Sequence, residues 1–475
     1  MEKLPVEIKE HITSLLGQPQ DLTKLALTSS SYLSLAQRSL YRNVSLRSDL
    51  PNIRHTFGLL RRSPRLRKVI RVISFKTDEE WGSRPGRIQR WIDMDIFNGM
   101  DNIRRVEFRL LPCVPARDFQ DMFATIYHCC PRIEEILATD ISWPMATPPP
   151  GWVLNPQLEV PSTLKRLTFE SSFSSEMRKF FLSTFISPFS RIESLSLFVE
   201  NNTETLEDIS SLSFKCLKSL RVVDFSANSS RELVRFLLLN PTIESLSFPR
   251  ADSINVEGEK VTVLPALRSL SGPPAFITQL VRICDSVKFV NALDLQFAGC
   301  YDSAHQASIR LVSSVGSFPS LKHLSVSHTY SFSLVTQLMH LFHDSKELQW
   351  WTGGFYCRDA AILKKLIHIL SRSLPSLKRV DICEWTSCSI LPYEQREALS
   401  TMAVKIPSVE KITLFYDHLD SNEIANVYFV PKKKSLAGLG GLIEAYQYYE
   451  GGPYLKDRRC VDKHSVDWHD DLLLE

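Results

Sequence analysis

One short pattern returns along most of this chain: apolar, two variable residues, apolar, one variable residue, apolar. It reads I-R-V-I-S-F at Ile70, I-R-R-V-E-F at Ile103, I-E-E-I-L-A at Ile133, L-K-R-L-T-F at Leu164 and I-E-S-L-S-L at Ile192. It continues as L-R-V-V-D-F at Leu220, I-E-S-L-S-F at Ile243, L-R-S-L-S-G at Leu267, V-N-A-L-D-L at Val290 and L-K-H-L-S-V at Leu321. The last copies are L-Q-W-W-T-G at Leu348, L-K-R-V-D-I at Leu377 and V-E-K-I-T-L at Val409. Roughly 13 copies at intervals of roughly 23 to 33 residues mark a repeat architecture.

Within each copy the fourth and sixth positions alternate with polar neighbours, the period of a short strand with one buried face. Between copies the period becomes helical. Phe119, Met122, Phe123 and Ile126 form one stripe, and Met177, Phe180, Phe181 and Phe185 another. Ile277, Leu280, Val281 and Cys284 repeat it, as do Leu334, Leu338, Met339 and Phe342, then Ile362, Leu363, Leu366, Ile367 and Leu370. One strand and one helix cannot bury either face alone, so the units must stack. The expected fold is α/β, a βα solenoid over residues 46–417 bent into a horseshoe, with a parallel concave sheet and helices outside. L-Y-R-N-V-S-L adds an opening strand through Val44 and Leu46.

Residues 1–45 follow a different rule. In L-P-V-E-I-K-E-H-I-T-S-L-L, Ile8, Ile12, Leu15 and Leu16 share one helical stripe that Pro5 can open. Leu22, Leu25 and Ala26 begin a second helix after Asp21, a residue type that caps exposed N–H groups. Leu33, Ala36 and Leu40 make a third, entered through Ser29, Ser30 and Ser31. Three helices in roughly 40 residues are too few to close a core, and no cysteine staples them, so their surplus apolar surface needs a cover.

L-P-x-E-I, then D-L-x-x-L-A-L-T-S, then Y-L-x-L-A with L-Y beyond, resembles the F-box. Tyr32 and Tyr41 stand where many members carry tryptophan. The resemblance implies docking onto a Skp-type adaptor, and through it a cullin, with Leu4, Pro5, Ile8, Ile12, Leu15, Leu16, Leu22, Leu25 and Ala26 in the adaptor-facing pattern. The repeats resemble the leucine-rich repeats that commonly follow F-boxes, in a degenerate form. The asparagine or cysteine usually placed after the strand is mostly absent, and only Asn228 and Cys300 fall near that place. Together these imply a substrate receptor of a Skp–cullin–F-box ubiquitin ligase that holds a protein target on its solenoid. The alternative is a non-ligase interaction scaffold whose N-terminal helices are only a cap.

Other chemistry finds little footing. A formal net charge of +3 makes no electrostatic case for nucleic acid. The ten cysteines include no C-x-x-C pair, Cys129 and Cys130 are adjacent, and Cys383 and Cys388 lack a nearby histidine pair, so free thiols in a reducing compartment are expected. Met1 leads into Glu2 and Lys3 without an apolar signal core, and no apolar run approaches a membrane span, so a cytoplasmic or nuclear place is expected, with no membrane partner. No nucleophile–histidine arrangement or phosphate loop is present, and no catalytic residue, cofactor or metal site is assigned. His464, Asp467, His469, Asp470 and Asp471 are of metal-ligand type but sit in a charged tail. Lys432, Lys433 and Lys434 read either as a solvated turn or as an import signal.

Two stretches, residues 81–90 and 147–152, read as surface loops, the second as a rigid proline segment. Residues 418–475 read as a C-terminal cap and flexible tail, with a short helix at 442–449. On the strand face opposite the core, the third, fifth and seventh positions give Arg105, Glu107 and Arg109, then Arg166, Thr168 and Glu170, then a serine-rich middle through Ser194, Ser247, Ser269 and Ser327. In the copy at Leu348, Trp351 points inward where Gly353 leaves room, and Trp350 points outward. Arg105, Arg109, Arg166 and Trp350 are therefore the candidate target-binding residues, with a covered Trp350 as the other reading.

Overall fold

A computed structural model of the chain describes residues 4–16, 19–47, 53–76, 94–109, 116–139, 161–170, 191–198, 210, 212–223, 230–249, 264–296, 318–329, 339, 342, 345–355, 360–386, 401–402, 405–418, 423–432 and 445–451. Two compact units divide the chain, Met1–Thr242 and Ile243–Glu475. Residues 177–185, Asn228, Cys300, Lys433, Lys434, residues 464–471 and both loops named above lie outside the described residues.

The first unit opens with helices α1 (Val6–Leu15), α2 (Pro19–Thr28) and α3 (Ser30–Arg42). Ser29 caps α3, its hydroxyl accepting from Ser31 N at 3.3 Å. Asp21 lies inside the first turn of α2 rather than at its cap, because the helix already starts at Pro19. Strand β1 (Asn43–Arg47) follows α3 with no residue between, and its Leu46 is buried. Strands β2 (Val72–Lys76), β3 (Arg105–Arg109), β4 (Glu135–Thr139), β5 (Arg166–Glu170), β6 (Ser194–Phe198) and β7 (Ser219–Val223) then add in chain order, every neighbour parallel. Helices α4 (Ile53–Arg62), α5 (Pro64–Arg67), α6 (Ala116–Cys129) and α7 (Ser230–Leu239) fill the intervals.

The second unit repeats the scheme with β8 (Ser245–Ser247), β9 (Ser269–Gly272), β10 (Ala292–Gln296), β11 (His323–Thr329), β12 (Trp350–Phe355), β13 (Arg379–Thr386) and β14 (Lys411–His418), all parallel. Helices α8 (Pro274–Ile283) and α9 (Ala360–Ser373) bury the stripes expected of them, including Ile277, Leu280 and Val281, and Leu363, Leu366, Ile367 and Leu370. Strands β15 (Glu423–Lys432) and β16 (Ala445–Gly451) pair antiparallel instead. The helix expected at 442–449 is therefore a strand from Ala445 on. Tyr446, Tyr448 and Tyr449 are strand formers, and pairing with β15 overrides their apolar spacing.

Stacking has two causes. The first position of each copy is buried: Ile70, Ile103, Ile133 and Ile192 in the first unit, Ile243, Val290, Leu321, Leu348 and Leu377 in the second, all at 0% exposure. The carbonyl of the second position accepts two N–H groups from the next repeat, as Arg104 N and Arg105 N on Arg71 O at 2.8 and 3.1 Å. The same fork recurs at Arg104, Glu134, Lys165 and Glu193, and at Glu244, Arg268, Asn291, Lys322, Gln349 and Lys378. A buried Ile or Leu contributes about 1.5–3 kcal/mol and a hydrogen bond about 1 kcal/mol net. With the first, fourth and sixth positions buried, as Ile103, Val106 and Phe108, a repeat gains about 4.5–9 kcal/mol from burial against about 2 kcal/mol from its fork, so burial supplies most of the stability and the fork sets the spacing.

One copy is shifted from its expected register. Leu195 pairs with Leu220 and Leu197 with Val222, so the copy begins at Leu217, which is 0% exposed, as L-K-S-L-R-V. Leu220 and Val222 are its inward residues, three positions before those expected. Two overlapping apolar runs fit the pattern here, and the pairing with β6 together with the buried Leu217 distinguishes them.

At β12 the sixth position is Gly353, and the large indole of Trp351 occupies the space its side chain would take. Trp351 is 0% exposed, and a Cβ on Gly353 would lie 2.1 Å from Trp351 Cη2. Gly353→Ala is expected to lower stability by about 1–3 kcal/mol through overpacking, and Trp351→Ala by about 3–5 kcal/mol through a cavity. In a Trp351→Ala background the Gly353→Ala cost should largely vanish, which a double-mutant cycle by urea unfolding measures.

Candidate interaction surfaces

On the N-terminal helices the expected adaptor-facing residues do not share one environment. Pro5 is exposed and Ile8 is 47% exposed, whereas Leu4, Ile12, Leu16, Leu25 and Ala26 are half-buried and Leu22 is buried. The side chain of Leu15 lies outside the described residues. Among the described side chains of α1, which packs on α3, the buried ones are Lys9 and Thr13. Thr13 Oγ1 donates to Lys9 O at 2.7 Å, and the Lys9 ammonium sits 5.6 Å from the ring centre of buried Tyr32. A lysine stem can lie against an aromatic face in this way, which the apolar stripe alone did not reveal. Three further apolar side chains face outward, Val6 at 55%, Leu33 at 44% and Leu27 at 83% exposure. Leu27 follows Leu25 and Ala26 in one run, so the pattern could not separate its face from theirs.

On the first unit's strands, Arg105, Arg109 and Arg166 are brought into one network. Arg105 pairs with Glu107 at 2.6 Å and Glu135 at 3.4 Å, Arg109 with Glu107 at 3.2 Å, and Arg166 with Glu135 at 3.0 Å. The register explains this, since Arg105, Glu135 and Arg166 are successive partners across β3, β4 and β5. Exposed pairs contribute little singly, but here Glu107 and Glu135 keep only 11% and 14% of their side chains in water. Arg166 keeps 53% of its side chain in water and has the most exposed guanidinium of the three.

Trp350 also points away from the core, as its alternation requires, yet it is 8% exposed. It occupies the middle of a stack whose members are register partners, His323 on β11, Trp350 on β12 and Arg379 on β13. The His323 and Trp350 ring centres are 4.0 Å apart at 21°, and Arg379 Cζ lies 3.9 Å over the indole. Beneath the stack, Asp381, 0% exposed, accepts from Trp350 Nε1 at 2.7 Å and Arg379 Nε at 2.9 Å. His323 Nε2 lies 3.2 Å from Thr352 Oγ1. Burial first, and the neighbouring Arg379 second, push the imidazole down to about 3. With both faces covered, Trp350 is a structural centre of this surface before it is a contact. Among the described residues no group of His, Cys, Asp and Glu could hold a metal ion, and no helix is long and apolar enough to cross a membrane.

Two outcomes follow for this cluster. Asp381→Ala strands Arg379 and the indole N–H and is expected to cost about 3–5 kcal/mol of stability. His323 holds fewer protons folded than unfolded between its ordinary 6.5 and about 3. Stability from its neutral form is thus complete above pH 6.5 and falls on acidification, by at most about 1.4 kcal/mol per pH unit. Urea unfolding of wild type and His323→Gln from pH 7 to pH 4 should show the shallower slope in the variant.

Comparison with known proteins bears on the N-terminal helices. Residues 1–47 match the F-box-like family model. No curated protein matches the sequence. A chain of the yeast Rad7 and Elc1 complex is 12% identical with a TM-score of 0.36, the match covering 78% of this chain and 95% of that one. A chain of the TLR13–ssRNA13 complex is 11% identical with a TM-score of 0.31, covering 80% of this chain and 61% of that one.

Proposed function

We propose that this chain, an F-box-like segment followed by a leucine-rich-repeat-like solenoid, is the substrate-recognition subunit of a Skp–cullin–F-box ubiquitin ligase. The observation that carries the reading is the F-box-like match at residues 1–47 on helices that leave Val6, Ile8, Leu27 and Leu33 facing water. Apolar side chains of that size, exposed on a segment of three short helices, are the kind an adaptor would cover. The chain would act by proximity. It raises the effective concentration of a target's lysine near a ubiquitin-loaded enzyme held elsewhere in the assembly, and supplies no catalytic group itself. Targets would lie on the outward strand faces, where the half-exposed Arg166 and the network around Arg105 and Arg109 present fixed charge.

The double variant Ile8→Asp/Leu27→Asp tests the adaptor surface, because both side chains are exposed and their loss leaves the core intact. If each anchor contributes about 2 kcal/mol, the double variant loses about 4 kcal/mol, and binding of a purified Skp-type adaptor should fall by about 1,000-fold with an unchanged melting temperature. Undiminished adaptor binding, or none by the wild type, would favour an interaction scaffold whose helices only cap the solenoid.

A further inference from the structure

Carboxylates on the outward strand positions are, with one exception among the described side chains, matched by a cation. Glu107 holds Arg105 and Arg109, Glu135 holds Arg105 and Arg166, and Asp381 holds Arg379. The exception is Asp294, the fifth position of its copy, on β10. Its Oδ2 accepts from Ser271 Oγ at 2.8 Å and from Gln296 Nε2 at 2.9 Å, and Gln296 Nε2 also donates to Ser271 Oγ at 2.8 Å. Its Oδ1 is buried and receives no donor among the described residues.

The surrounding outward positions supply no charge either. Asp294 is paired in register with Ser271 on β9 and Ser325 on β11, and its same-face neighbours along β10 are Ala292 and Gln296. His323, diagonal to it on β11, stays neutral, because burial first and Arg379 second push its imidazole down to about 3. The carboxylate therefore sits among hydroxyls and one amide. A buried carboxylate oxygen without a donor is costly, and charge-assisted hydrogen bonds are roughly twice as strong as neutral ones. Gln296, half-buried and held by neutral donors and acceptors on one side only, is the group that a cationic donor displaces.

We propose that Asp294, on the outward face of β10, receives a basic side chain, lysine or arginine, of a protein target. Ser271, Ala292 and Ser325 are small, so a long aliphatic stem can lie across them while its charged head displaces Gln296 and meets Oδ1. The chain itself contains the pair that is missing here. Glu107 and Arg109 stand 3.2 Å apart at the fifth and seventh positions of the Ile103 copy, where the Val290 copy has Asp294 and Gln296. A metal ion needs more ligands than one carboxylate, and among the described residues no group of His, Cys, Asp and Glu could supply them. The assignment rests on the proposed function and gives the chemistry of one target contact. Its assay contains no adaptor, so its failure leaves adaptor docking untouched.

The test uses the full chain on immobilised peptide libraries with uncharged degenerate flanks and a fixed central arginine, lysine, glutamine or glutamate. Retention on the arginine or the lysine library is expected to exceed that on glutamine and on glutamate by at least about tenfold. Asp294→Asn keeps the shape while removing the charge, and should abolish the difference. Gln296→Arg recreates the Glu107–Arg109 arrangement within the chain and should block the site as well. Glu347→Gln, at an exposed position elsewhere in the second unit, should leave retention unchanged. Equal retention on the glutamine library, no retention on either basic one, an equal loss in Glu347→Gln, or full retention by an Asp294→Asn variant that melts like wild type would overturn the assignment. Should that variant melt early, undiminished retention by Gln296→Arg would overturn it instead.

Discussion

At nearly every strand entry one backbone carbonyl accepts two N–H groups from the following repeat, while the residue before it is buried against its neighbours. This pairing fixes the rise from rung to rung and leaves the side chain of the accepting residue at the edge. Each repeat thereby has three separable surfaces: inward apolar positions, outward strand positions and an edge position. The inward set is apolar in every repeat, whereas charge at the other two positions differs from copy to copy, and at β13 an outward residue, Asp381, is itself buried. Hydroxyls just before the buried residue add a second tie, as Thr163 to Ile133 O at 2.7 Å and Ser408 to Leu377 O at 2.6 Å.

Because the strands pair in strict register, outward side chains stand on a common grid, and like positions meet their counterparts one rung away. In the first unit the grid is filled by opposite charges and becomes an ion-pair lattice around Glu107 and Glu135. In the second it is filled by flat groups and becomes a stack of imidazole, indole and guanidinium over a buried carboxylate. Asp381 ties that stack together: a carboxylate with no exposure is stabilised there by Arg379 and the indole N–H, both of which donate to it.

The repeat was legible because burial of the first, fourth and sixth positions writes a period directly into the sequence. Trp351 and Gly353 could be read as a pair for the same reason, each explaining the other's size. Where two apolar runs overlap, as from Leu217 to Phe225, period alone gives two registers and hydrogen-bond pairing decides. Alternation told which side of the sheet Trp350 faces, but not that His323 and Arg379 close over it, since the partners lie 27 and 29 residues away. At the N-terminus the stripe of leucines and isoleucines was visible, but the face turned inward includes Lys9, whose stem packs as an apolar group. The strand at Ala445–Gly451 was missed because its partner is β15, and no local spacing encodes an antiparallel return.

The junction between α3 and β1 connects these surfaces within the first unit. Arg42 is at once the last residue of α3 and the acceptor of Arg71 N from the next repeat, and Asn43 already belongs to the sheet. A flexible linker would let the helices and the strand edge sample many separations, lowering the effective concentration of anything held on one for anything held on the other. A helix that passes directly into a strand removes that freedom, because the Arg42 carbonyl that ends α3 also accepts Arg71 N from the next repeat at 2.8 Å. The same residue therefore transmits the placement of the N-terminal helices to the first strands of the sheet, and a single insertion there would rotate the helices against the strands while leaving every apolar contact of the repeats in place.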